Sequence, residues 1–85
     1  MFYCYILKST ANSAFYIGSC GDLDKRVIQH NKCLVSATKR YAPWGLVYKE
    51  EFITLKEARK RELQMKSWKK RGAIEKLIKT FQNFK

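Results

Sequence analysis

From Phe2 to Leu7 every residue is aromatic, aliphatic or a cysteine (FYCYIL), and so short and apolar a run fits a buried strand better than a helix. Ser9 to Ser13 is polar and turn-like, and Ala14 to Gly18 reads as a second short strand. Together they predict a β-hairpin at the start of the domain. The first run is far short of the ~20 apolar residues that a membrane span needs. No basic segment precedes it, so neither a secretory leader nor membrane association is expected. Cys4, Cys20 and Cys33 form no C-x-x-C pair, and an odd number is a poor disulfide framework, which points to reduced thiols in a cytoplasmic protein. With a single histidine in the chain, a zinc site would have to be Cys3His, and these spacings do not recommend one.

The remaining elements follow from caps and periodicity. Asp22 suits the N-cap of a helix through about Asn31, with Leu23 and Val27 on one face. Arg26 and His30, four residues apart, emerge side by side on that helix. Residues 32–43 are a basic, polar connection ending in Ala42-Pro43, where Pro43 opposes a helix. Leu46 to Ile53 reads as a third strand. Thr54-Leu55-Lys56-Glu57 has the form of a capping box, opening a helix expected to run to Arg71 and close at Gly72. Ala73, Ile74, Leu77, Ile78 and Phe81 then make one apolar stripe on a last helix. The order is ββαβαα: an α/β chain of the α+β type, with a small three-stranded antiparallel sheet flanked by helices. At 85 residues, positions 1–85 form one domain that buries ~60% of its unfolded surface.

Inside this frame Glu62 is out of place. At about 100° per residue, Leu55, Ala58 and Met65 point the same way along the helix that opens at Thr54, and Glu62 falls within their arc. A carboxylate turned toward the body of a protein is costly unless a cation, a set of hydrogen bonds or a metal compensates it. The chain as a whole is strongly basic, 18 Lys and Arg against 7 Asp and Glu for a formal charge of +11. That balance favours a polyanionic partner, nucleic acid above all. Residues 55–85 hold 11 basic residues against 3 Glu, so the C-terminal helices carry most of the surplus. Lys39, Arg40, Arg59, Lys60, Lys69, Lys70 and Arg71 are the candidate phosphate contacts.

Two short aromatic strand motifs, Tyr3-Cys4-Tyr5 and Tyr16-Ile17-Gly18, are separated by ten residues, and Arg26 follows Tyr16 at a distance of ten. With His30 one turn beyond Arg26, and Glu62 on a later helix, the pattern resembles the GIY-YIG endonuclease superfamily. The resemblance spans essentially the whole chain. It is closest to the small single-domain members related to the N-terminal incision domain of the excision-repair nuclease UvrC, most specifically through FYIGSCGDLDKRVIQHN and ARKRELQMKSWKKR. Three departures stand out: Tyr3 and Cys4 replace the Gly and Ile of the first motif, Ser19 stands where some repair members carry a basic residue, and no Asn follows Glu62 at the expected distance.

What the resemblance implies is a Mg²⁺-dependent (or Mn²⁺-dependent) DNA endonuclease, engaged in DNA repair or recombination, with Tyr5, Tyr16, Arg26, His30 and Glu62 as its catalytic set. Glu62 is the implied metal ligand, since Mg²⁺ commonly takes one carboxylate, several waters and substrate phosphate oxygens. Arg26, permanently charged and able to fork onto phosphate, is suited to transition-state stabilisation. A tyrosine is implied beside the attacking water. Tyr5 is the preferred base and Tyr16 the orienting group, with either tyrosine eligible and His30 able to pass the proton on. The rival expectation is a non-catalytic or partner-dependent nucleic-acid-binding module of the same fold, relying on a protein partner or a second copy for targeting. Tyr41, Trp44 and Tyr48 fit a core better than a base-stacking platform.

Overall fold

A computed structural model describes residues 1–68 and 70–83. The elements are β1 (Phe2–Ser9), β2 (Phe15–Cys20), α1 (Leu23–Asn31), a 3-10 turn (Lys39–Tyr41), β3 (Trp44–Phe52), α2 (Leu55–Lys66) and α3 (Arg71–Asn83). The order is ββαβαα, as expected. The sheet is three-stranded in the order β2-β1-β3, antiparallel at both pairings, with Tyr5 opposite Gly18 and Leu7 opposite Tyr16.

The unbroken apolar run of β1 is explained by its place. As the central strand it is covered on both faces, so Cys4, Tyr5, Ile6 and Leu7 are all fully buried and there is no polar alternation to see. One face carries Tyr5, Leu7, Tyr16 and Cys20 against Leu23 and Val27 of α1 and Trp44. The other carries Cys4, Ile6, Phe15, Ile17 and Tyr48 against Met65, Trp68, Ile74, Leu77, Ile78 and Phe81. Trp44 and Tyr48 are core residues, and Tyr41 is exposed. Cys4, Cys20 and Cys33 are free thiols. Among the described residues no helix is long and apolar enough to cross a membrane.

Both predicted caps form. The Asp22 carboxylate accepts from Lys25 N at 3.1 Å, and the Thr54 hydroxyl accepts from Glu57 N at 3.2 Å. Three expectations are corrected. β2 continues through Ser19 and Cys20 because β1 pairs with it as far as Tyr3, and β3 begins at Trp44 rather than Leu46. The helix expected to reach Arg71 stops at Lys66: the Ser67 hydroxyl donates to Gln64 O and takes over a carbonyl that helix continuation would have used. Gly72 therefore lies in the first turn of α3 and closes nothing. Arg71 ties that turn to the hairpin, its guanidinium 4.2 Å from the Phe15 ring centroid and donating to Ser13 O. In α3 the apolar stripe holds except for Ala73, which is exposed.

Met65 is fully buried where α2 meets the sheet and α3. Met65→Ala should lower the unfolding free energy by about 2–5 kcal/mol in denaturant titration, the usual cost of an unfilled core methionine site.

Candidate active site

Four of the five predicted residues meet on the α1 face of the sheet. Tyr5 comes from the centre of β1, Tyr16 from the edge strand β2, and Arg26 and His30 from successive turns of α1. The Tyr5 hydroxyl lies 2.9 Å from His30 Nε2. The Tyr16 ring packs on the His30 ring with centroids 5.0 Å apart, and it sits 6.4 Å from both Tyr5 and Trp44. Tyr5 and His30 are fully buried, whereas Tyr16 and Arg26 are half-buried.

Gly18 makes this packing possible. A Cβ there would stand 2.5 Å from the Tyr5 hydroxyl oxygen, 2.7 Å from Tyr5 Cζ and 3.1 Å from Tyr16 Cε2. The second motif ends in glycine because a phenol on the neighbouring strand occupies the space of its side chain.

Burial sets the electrostatics. It pushes the Tyr5 phenol up to about 12, only partly offset by the Arg26 guanidinium beside it. Burial, with repulsion from Arg26, lowers the pKa of His30 below its ordinary 6.5, so the imidazole is neutral at pH 7. Arg26 is raised further, chiefly by Tyr5. Its terminal nitrogen donates to Gln29 Oε1 at 3.3 Å, while its Nε is buried without a hydrogen-bond partner among the described residues.

Glu62 reaches the edge strand from the opposite face. Its Oε1 accepts from Ser19 Oγ at 2.7 Å, and its Oε2 lies 2.6 Å from Lys66 Nζ. Its side chain keeps 18% of its exposure, so the carboxylate is compensated by a hydroxyl and a lysine while still reachable from water. Because Gly18 and Ser19 are consecutive, the Tyr5 phenol and the Glu62 carboxylate flank one stretch of β2. Among the described residues no group of three or more His, Cys, Asp or Glu gathers. The donor set fits a hard divalent cation that keeps most of its water and takes a single carboxylate.

The candidate phosphate contacts fall on three elements. Lys39 and Arg40 are exposed on the 3-10 turn, Arg59 and Lys60 on the outer side of α2, and Lys70 and Arg71 at the entry to α3. Lys69 lies outside the described residues. Arg71 has structural partners in Phe15, Ser13 and Glu75. Sequence reasoning passed over Thr38. It is fully buried in the basic connection, with its hydroxyl oxygen 2.7 Å from His30 Nδ1. Nothing local marks it, since its partner is contributed by α1.

Two outcomes follow. Gly18→Ala should destabilise the fold by about 1–3 kcal/mol in denaturant titration, because the Tyr5 ring it displaces is held on all sides. The depressed His30 pKa means that the unfolded chain binds a proton the folded chain resists. Stability is therefore full above the unfolded pKa of 6.5 and declines as pH falls through that value. Titrating unfolding free energy between pH 7.5 and ~5.5 should reveal this slope in the wild type and its loss in His30→Gln.

The GIY-YIG catalytic domain family matches residues 1–78. The chain is 40% identical over 73 residues to a UPF0213 protein of Staphylococcus saprophyticus, covering 85% of this chain and 88% of that one. It is 39% identical over 67 residues to a UPF0213 protein of Staphylococcus epidermidis, covering 78% and 80%. The solution NMR structure of a UPF0213 protein from Bacillus halodurans has a TM-score of 0.59 to it at 28% identity, covering 94% of this chain and 85% of that one. With this family matching residues 1–78, this chain belongs to the GIY-YIG family of nuclease domains.

Proposed function

We propose that the chain is a divalent-metal-dependent endonuclease that hydrolyses DNA phosphodiester bonds, acting on repair or recombination intermediates as the UvrC-related members of its family suggest. The observation that carries this reading is the convergence of Tyr5, Tyr16, His30 and Arg26 on the α1 face of the sheet. Glu62 is the residue that would hold Mg²⁺ or Mn²⁺, a cation whose role when bound is to neutralise charge on the phosphoryl and leaving oxygens. Arg26 binds the scissile phosphate and stabilises the charge that builds on it. Burial argues against Tyr5 as the base. Tyr5, at about 12 and fully enclosed, keeps its proton, whereas Tyr16 is the half-buried phenol that can meet and orient the attacking water. His30, neutral and in contact with both rings, holds the two phenols in position. The surplus of charge at +11 draws in the polyanion, with Lys39, Arg40, Arg59, Lys60, Lys69, Lys70 and Arg71 as its contributors.

A second reading has its own observation. Lys66 already neutralises Glu62 at 2.6 Å, as a binding module without turnover would require, with a protein partner or second copy supplying the targeting. Supercoiled plasmid and labelled branched, single-stranded and duplex DNAs, incubated with Mg²⁺, Mn²⁺ or chelator, separate the two. The nuclease predicts metal-dependent cleavage, reduced by about 100-fold or more in both Glu62→Gln and Arg26→Lys. Silence on every substrate, with DNA binding intact and weakening steeply with salt, would establish the binding module instead.

A further inference from the structure

The Tyr5 and His30 pair is part of a longer buried chain. Three groups, the Tyr5 phenol, the His30 imidazole and the Thr38 hydroxyl, are all fully excluded from water. The links are Tyr5 Oη to His30 Nε2 at 2.9 Å, His30 Nδ1 to Thr38 Oγ1 at 2.7 Å, and Thr38 Oγ1 to Val35 O at 3.4 Å. Their protons can be placed by accounting. If the Thr38 hydroxyl donates to Val35 O, it accepts the Nδ1 proton of His30, and Nε2 is left as the acceptor for the phenol. Every proton then has an acceptor. In the reverse order Nε2–H would point at Tyr5, and the phenol would face two donors, since Arg26 beside it also only donates.

We propose that Thr38 is a positioning residue for this site: its buried hydroxyl takes the Nδ1 proton of His30 and so keeps the Nε2 lone pair on the Tyr5 phenol. Thr38 is itself held in place. Trp44 Nε1 donates to Thr38 O at 2.8 Å, and the Trp44 backbone exchanges hydrogen bonds with Asn31, at 2.5 Å from Trp44 N to Asn31 Oδ1 and 2.9 Å from Asn31 Nδ2 to Trp44 O. The end of α1, the connection and the start of β3 are thus locked together around one imidazole. A second group that fixes the tautomer of a working histidine is a recurrent device, because only one of its two nitrogens can accept at a time.

The inference rests on the nuclease reading for its catalytic consequence but not for its geometry. His30 is the only histidine in the chain, so ¹⁵N NMR of its ring nitrogens reports the tautomer unambiguously. The wild type should give a protonated Nδ1 and a bare Nε2 at neutral pH, and a protonated Nε2 would overturn the proposal. Thr38→Val, of the same shape, should shift the tautomer signals and lower kcat for DNA cleavage by about tenfold or more with little change in KM. Thr38→Ser should restore both. A Thr38→Val protein with wild-type ¹⁵N shifts and kcat would refute the role, and should that variant not fold, the wild-type and Thr38→Ser spectra still decide. The two claims fail separately: absent cleavage with the expected tautomer sinks the nuclease, while normal cleavage with the opposite tautomer sinks Thr38.

Discussion

A phenol at the centre of a small sheet must find both room and a hydrogen-bond acceptor, and the solution adopted for Tyr5 governs much of this fold. Room comes from the neighbouring strand, where Gly18 presents no side chain to a hydroxyl that would stand 2.5 Å from its Cβ. The acceptor comes from α1, whose His30 reaches the hydroxyl at 2.9 Å. Leaving that hydroxyl unpaired would cost about 1–3 kcal/mol, a sizeable part of what an 85-residue domain has in hand. The position of α1 over the sheet, the path of the connection through Thr38, and the anchoring of that connection by Trp44 all serve the same buried hydrogen bonds.

The candidate site is built from both faces of the sheet at its edge. Successive residues of a strand point in opposite directions, so Gly18 belongs with Tyr5 and Tyr16 over α1, and Ser19 belongs with Glu62 over α2. A strand inside the sheet could not join two such groups, because its neighbours would separate them. β2 is an edge strand, so groups on its opposite faces can be reached from the same side of the sheet. The two sides differ in polarity as well. Tyr5 and His30 are dry and neutral, whereas Glu62 and Lys66 meet water, which separates the holding of protons from the handling of ionic charge.

Local chemistry determined a good deal of this protein from sequence alone. The apolar density of Phe2 to Leu7 marks a strand wherever it is placed, Asp22 and Thr54 cap the helices they precede, and the spacing of Arg26 and His30 puts them on one helical face, because each of these depends only on residues within a turn or a strand. The same is true of Glu62, whose position inside an apolar arc announces an unmet need for compensation. Tertiary structure alone decided what meets that need. Ser19 is 43 residues away in the chain, and it faces Glu62 only because β2 runs on to Cys20 at the sheet edge. The early end of α2, the enclosure that raises the Tyr5 phenol to about 12, and the pairing of Thr38 with His30 were likewise illegible. Each depends on burial or on a partner brought in by another element, and side-chain type and spacing carry no record of either.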